Sequence, residues 1–140
     1  MATLEGTIHR RWALKAALNA LLSVDRVFTG ENRNKTDLPW CSLNRDSGFR
    51  KAQSSVNRID ATTIRFEICH DNFVKGRAIT TQLCMAVNTT DGGGFHQDKF
   101  SIDDDGGNIA SMILENEGTL QDERGTWSFF CDFVLTYQRP

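Results

Sequence analysis

The sequence has no uninterrupted apolar run approaching the ~20 residues that a membrane helix needs, so a membrane span is not expected. It also has no Cys-x-x-Cys pair; its four cysteines stand apart at 41, 69, 84 and 131, each in an apolar context. In a reducing compartment such cysteines read as small buried hydrophobes. The residues Met1-Ala2-Thr3-Leu4-Glu5-Gly6 lack an apolar core of signal-peptide length, and the expectation is synthesis and folding in a cytoplasm. A strong excess of one charge sign is missing too, with 16 Lys+Arg against 18 Asp+Glu and a formal charge of -2. Without a cationic field, generic nucleic-acid or membrane-surface binding is not expected.

What is present is ordinary in amount and uneven in distribution. At 140 residues, 39% hydrophobic and 24% charged, the chain reads as one globular domain over 1–140. Residues 1–58 carry ten Lys/Arg against five Asp/Glu, or +5, whereas residues 59–140 carry six against thirteen, or -7. The basic excess gathers in Arg45, Arg50, Lys51 and Arg58, within a polar stretch that reads as a loop. The acidic excess includes Asp98 and the run Asp103-Asp104-Asp105.

Periodicity predicts the elements. From Ile8 to Val24, Trp12, Leu14, Ala17, Leu18, Leu21 and Leu22 recur at helical spacing, with Thr7 as N-cap. Pro39 opens a short extended run over Trp40 to Asn44. Ile64, Phe66 and Ile68 alternate with Thr63, Arg65 and Glu67 in a half-buried strand from Ala61 to His70. Asp71 or Asn72 caps a second helix to about Asn88, with a stripe of Val74, Ala78, Ile79, Leu83, Ala86 and Val87, ended by Gly92-Gly93-Gly94. Phe100 and Ile102 suggest a short strand, and Ile109 to Asn116 the next. Gly118 to Gly125 reads as a connection, and Thr126 to Tyr137 as the longest strand, with Trp127, Phe129, Cys131, Phe133, Leu135 and Tyr137 on its packed face. The class is α+β: an antiparallel or mixed sheet of about four to five strands, with two helices on one face.

Catalytic and metal signatures do not hold up. The sharpest catalytic reading pairs Cys69 or Cys84 with His70 as nucleophile and base. Cys69 and His70 are strand neighbours pointing to opposite faces, and no Gly-x-Ser-x-Gly elbow occurs. The expectation is a buried thiol beside a strand-end histidine. A zinc set of Cys41, Cys69, Cys131 and a histidine would have to gather from distant strands without the usual clustered spacing. A calcium loop begun at Asp103 has Asn108 where glycine is required and Leu114 where glutamate is required. The triple glycine is followed by Phe95-His96-Gln97, which is no phosphate loop. No enzyme activity, metal or cofactor is expected.

The layout resembles the bacteriophage tail-terminator or tail-completion proteins, the minor tail family that closes the head-facing end of a tail tube. The features that carry it are Trp12-Ala13-Leu14-Lys15-Ala16-Ala17-Leu18-Asn19-Ala20-Leu21-Leu22 leading into Asp25-Arg26-Val27-Phe28, and the proline-aromatic strand opening Leu38-Pro39-Trp40. The alternating strand Thr62–His70, the second helix and a last strand opening at Gly125-Thr126-Trp127 complete the order over about residues 10–138. The resemblance implies a non-enzymatic subunit, without cofactor, assembling as a ring, usually a hexamer, between tail tube protein and head connector protein. It places the protein in the bacterial host cytoplasm during assembly and then in the virion tail. The Gly92–Gly107 segment is longer and more acidic than the family layout. For a ring of like subunits, the charge split suggests that Arg45, Arg50, Lys51 and Arg58 of one subunit face Asp98, Asp103, Asp104 and Asp105 of the next. The competing expectation is that these charges neutralise one another within one subunit. The alternative function is a bacterial α+β binding module recognising a small ligand or a protein.

Overall fold

The structure is a computed structural model describing residues 4–30, 37–45, 50–51, 59–87, 93–101 and 108–138. It begins with two helices, α1 (Leu4–Leu14) and α2 (Ala16–Leu21), where the periodicity predicts one from Ile8. Thr7, expected as the N-cap, is instead buried inside α1. The break falls at Lys15, whose backbone is extended at φ -88° and ψ 90°. That conformation brings the ammonium of Lys15 to 2.9 Å from the Asp98 carboxylate, an ion pair that offsets the cost of burying the lysine. Across the break, the Trp12 indole N–H donates to the Leu22 carbonyl at 2.9 Å, so α2 folds back on α1. Ile8, Trp12, Leu18 and Leu22 are buried as their spacing predicts, whereas Leu14 and Leu21 face solvent.

After a 3-10 turn at Val24–Arg26 come β1 (Val27–Thr29), β2 (Trp40–Arg45), β3 (Arg50–Lys51) and β4 (Ile59–His70). Helix α3 (Phe73–Cys84) follows, then β5 (Phe100–Ser101), β6 (Asn108–Gln121) and β7 (Trp127–Gln138). The sheet order is β1-β2-β4-β7-β6-β5, with β3 continuing the β2 edge of β4. Among the described strands β1 and β2 pair in parallel and the other pairs are antiparallel, so the sheet is mixed. Among the described residues the sheet has seven strands rather than the expected four to five. The short strand expected at Phe100 is β5, and the additional ones are β1 and β3, whose three and two residues are too few to show a period. Arg50 and Lys51, expected in a loop, lie in one of them.

β6 is also longer than its pattern suggests, running through Gly118 to Gln121. Gly118 pairs with Phe130, and a Cβ on it would stand 2.3 Å from the Phe130 ring, so the aromatic covers the glycine and the strand continues. Two register shifts, between Ile109 and Ser111 and between Leu114 and Asn116, absorb extra residues in β6.

The core lies on one face of the sheet. The β4–β7 register sets Ile64 opposite Phe133, Phe66 opposite Cys131 and Ile68 opposite Phe129, all buried. Trp12 stacks on Phe66 with ring centres 6.4 Å apart, and Phe66 meets Phe95 at 5.6 Å and Phe133 at 5.3 Å. Helix α3 is capped by the Asn72 side chain, which accepts from the Lys75 N–H at 3.0 Å. It buries Gly76, Ile79, Thr80 and Leu83 but leaves Val74 at 74% exposure.

Helix α3 ends at Cys84 rather than near Asn88 because a returning segment takes its last carbonyls. Phe95 N–H donates to Leu83 O at 3.0 Å, and His96 N–H donates to Met85 O at 3.1 Å. Gly94, at φ +85°, makes this approach possible, since a Cβ there would lie 2.4 Å from Met85 O.

Gly76 permits a second close approach, that of α3 to β7. A Cβ at Gly76 would stand 2.4 Å from Phe129, a fully buried ring. Helix propensity alone favours alanine over glycine by about 1 kcal/mol, whereas overpacking a buried ring costs about 1–3 kcal/mol. Gly76→Ala is therefore expected to lower the denaturation midpoint in urea, and an unchanged or higher midpoint would show that Phe129 yields freely.

Candidate functional site

Helix α1 is held by charge towards each end. Near its N-terminus, Glu5 takes a two-point contact from Arg45 of β2, with Nε and Nη2 each donating at 2.9 Å. At its C-terminus, Arg11 forks onto Asp98 at 3.0 and 2.8 Å, and Lys15 reaches the same carboxylate at 2.9 Å. Asp98 is only 2% exposed and Lys15 only 4%. The Lys99 N–H adds a further hydrogen bond to Asp98 Oδ1 at 2.9 Å. Aromatic faces complete the setting, with Lys15 Nζ 4.6 Å from the centre of the Phe95 ring and Arg11 5.4 Å from that of Phe100.

Burial alone would raise the Asp98 carboxyl, but the hydrogen bonds from Arg11 and Lys15 outweigh it and hold the group below its ordinary range. Burial pulls Lys15 below the usual lysine range, against the opposing pull of Asp98. The Arg11 guanidinium is raised by its hydrogen bonds to Asp98. The cluster is thus a buried triad of two cations and one anion.

This placement changes the reading of the charge split. Asp98 is expected at an acidic surface opposite a neighbour, but the structure buries it against Arg11 and Lys15 of its own chain. Arg45 is engaged by Glu5. Arg50 and Lys51 form β3, and their side chains lie outside the described atoms, as do Arg58, Asp103, Asp104 and Asp105 entirely. Among the described candidates, Arg45 and Asp98 are thus each engaged by other residues of the same chain. Arg11 and Lys15, the partners of Asp98, carry no motif; a lysine within an apolar helical stretch is the one hint of their role.

The other sheet face holds a further ion pair, with Arg65 forking onto Asp132 at 2.7 and 3.0 Å and lying 4.9 Å from the centre of the Phe130 ring. Large apolar side chains remain exposed on separate elements, with Leu14 at 75% beside the α1–α2 break and Leu120 at 64% near the end of β6. Phe73 and Ile113 are exposed as well. A cleft of about 190 Å³ between α3 and β6 is lined by Arg77, Thr80, Glu117, Gly118 and Thr119. Its volume lies below the ~300–1,000 Å³ typical of small-molecule sites.

Cys69 and His70, the catalytic candidates of adjacent sequence, have different neighbours. Cys69 Sγ lies 3.7 Å from the Ser128 hydroxyl, and burial pushes its thiol up to about 11, which keeps it protonated near neutrality. His70 accepts a hydrogen bond from the Asn72 N–H at 2.9 Å. The metal-spaced donors among the described residues are Cys84, Glu117 and Cys131, whose ligand atoms lie within 4.8 Å of one another. This is a different set from the Cys41, Cys69, Cys131 and histidine combination considered from the sequence. Among the described residues, no helix is long and apolar enough to cross a membrane.

No protein-family model matches this chain, and no curated protein does. Among solved structures, the fold is similar to a chain described as "Virion of native gene transfer agent (GTA) particle", with a TM-score of 0.72 and 12% identity. The match covers 96% of this chain and 94% of that one. At this identity the similarity establishes a shared fold.

Removing the anion of the triad leaves a buried ammonium unmatched. Asp98→Ala is expected to cost about 3–5 kcal/mol of stability at neutral pH, read from chemical denaturation. The carboxyl is depressed in the folded state, so its contribution is complete above the unfolded-state value of about 4 and is lost as pH falls through the lower folded value. The gap between wild type and variant should therefore narrow on acidification below about pH 4. A gap that stays constant down to pH 2 would contradict this account.

Proposed function

We propose that this protein is a non-enzymatic structural subunit of a phage or phage-like particle, assembling into a ring that caps the tail tube and joins it to the head connector. The observation that carries this reading is the agreement in fold, over nearly the whole of both chains, with a chain from a gene transfer agent virion. The surface supports it. Leu14 and Leu120 expose apolar area on a helix and on a distant strand, as contact between two different patches of like subunits requires. β6 pairs with β5 only at Asn108 and Ile109, so among the described residues its Glu115–Gln121 stretch has no strand on that side. Such an edge can accept a strand from a neighbour.

The electrostatic part of the interface rests on fewer groups than the charge split suggests. With Arg45 and Asp98 engaged inside the subunit, it falls to Arg50, Lys51 and Arg58 facing Asp103, Asp104 and Asp105 of the adjacent copy. A hexamer, with tail tube protein and head connector protein as axial partners, is the arrangement proposed. Assembly takes place in the host cytoplasm, and the ring then remains in the virion tail. The small-ligand alternative draws little support from a cleft of about 190 Å³.

Light scattering over a range of concentration and salt, together with negative-stain imaging, tests the reading. The expected result is a discrete ring, or ring formation on added tail tubes. Leu14→Asp and Leu120→Asp should each weaken assembly while changing monomer stability by less than about 0.5 kcal/mol, because both side chains are exposed. A monomer at every concentration and salt that also fails to bind tail tubes would overturn the proposal.

A further inference from the structure

Cys84 ends α3 and Cys131 lies within β7, 47 positions later, yet their sulfurs stand 2.9 Å apart. Cys131 is fully buried, while Cys84 is half-buried. Glu117, opposite Cys131 in the β6–β7 register, brings a carboxylate oxygen within 4.8 Å of both sulfurs. Two chemistries use such a pair: a metal ion bridging the donors, or a covalent bond between the sulfurs.

Geometry and protonation favour the bond. Zinc held by two thiolates at ~2.3 Å in a tetrahedral site keeps the sulfurs roughly 3.8 Å apart, wider than the contact here. A metal site also needs both thiolates present at equilibrium, and the Cys131 thiol is pushed up by its hydrogen bond to Cys84 and by burial. Disulfide exchange asks only for transient deprotonation of each sulfur in turn.

We propose that Cys84 and Cys131 are a dithiol–disulfide pair, closed by exchange with a low-molecular-weight disulfide such as oxidised glutathione. The Cys84 thiolate, having lost its proton to water, attacks one sulfur of the oxidant and releases one small thiolate, which takes up a proton. Cys131 then gives up its proton and attacks Sγ of Cys84 in the mixed disulfide, expelling the second small thiol. Two protein thiols are oxidised by two electrons, and one small disulfide is reduced to two thiols. The order follows exposure, because the half-buried sulfur meets the reagent and the buried one is already in contact with it. Closure ties the end of α3 to the sheet and encloses the loop that carries Phe95 and Asp98. Cys41 is fully buried, and Cys69 is set against Ser128, so both stay reduced. This inference stands apart from the assembly reading.

The test treats the purified full chain with oxidised glutathione, with a reduced sample alongside. Intact mass should fall by about 2 Da, for the two hydrogens removed. Peptide mapping after alkylation in denaturant should show Cys84 linked to Cys131, with Cys41 and Cys69 alkylated. The oxidised form should melt about 10 °C above the reduced form. Cys84→Ser, a change at a half-buried position, should show neither the mass loss nor the shift. Four alkylated cysteines in the oxidised sample would overturn the proposal. So would a persistent mixed disulfide on Cys84, a linkage through Cys41 or Cys69, or stoichiometric zinc retained in place of the bond.

Discussion

A buried ammonium has to be met by a carboxylate, and Lys15 imposes that requirement between two helices. Burying an unmatched ion costs several kcal/mol, a large part of the net stability of a domain this size. The partner comes from Asp98, 83 positions away, and several features follow from bringing it there. The backbone leaves the helical conformation at Lys15, which divides the first helix in two. The segment around Asp98 returns beneath α1, which places Phe95 in the aromatic cluster with Trp12 and Phe66. The same return caps the end of α3, with Gly94 at a turn where a side chain would meet the Met85 carbonyl. One ion pair thus links the helix break, the composition of the core and the end of the third helix.

This dependence separates what the sequence shows from what it conceals. The alternation of Ile64, Phe66 and Ile68, and of the odd-numbered residues from Phe129 to Tyr137, is legible because a one-sided sheet imposes a period of two. The cap at Asn72 is legible because its hydrogen bond lies within three residues. The break at Lys15 and the end of α3 are not, since each answers to a residue contributed from elsewhere in the chain. The reach of β6 through Gly118 is hidden for the same reason: the Phe130 ring that covers this glycine belongs to the next strand. Short strands such as β1 and β3 exist by pairing with a longer neighbour, and two or three residues carry no period.

The charge pattern was legible as an imbalance but not as a set of pairs. A +5 and -7 division says nothing about which cation meets which anion. Among the described residues much of the contest is resolved inside the chain, by Arg45 on Glu5 and by Arg11 and Lys15 on Asp98. Only the second of these joins the basic half of the chain to the acidic half, and it is the buried one. The triad therefore contributes to folding, because an ion with 2% exposure has no surface to offer a partner.

Charged and apolar surface groups differ in what they could gain from a neighbouring molecule. Charges engaged in forked, intramolecular contacts would lose those contacts on meeting a neighbour, and an exchange of one ion pair for another gains little. Exposed leucines face no such competition, because burying them removes apolar surface from water at no comparable loss. Leu14 sits beside the break that Lys15 creates, and Leu120 lies on the stretch of β6 that Phe130 carries past Gly118. Both exposed positions are consequences of the internal packing. The helix break turns Leu14 outward while Lys15 turns in, and the covered glycine lets the strand extend far enough to present Leu120. The contacts that close the chain on itself thereby set out the apolar surface it exposes.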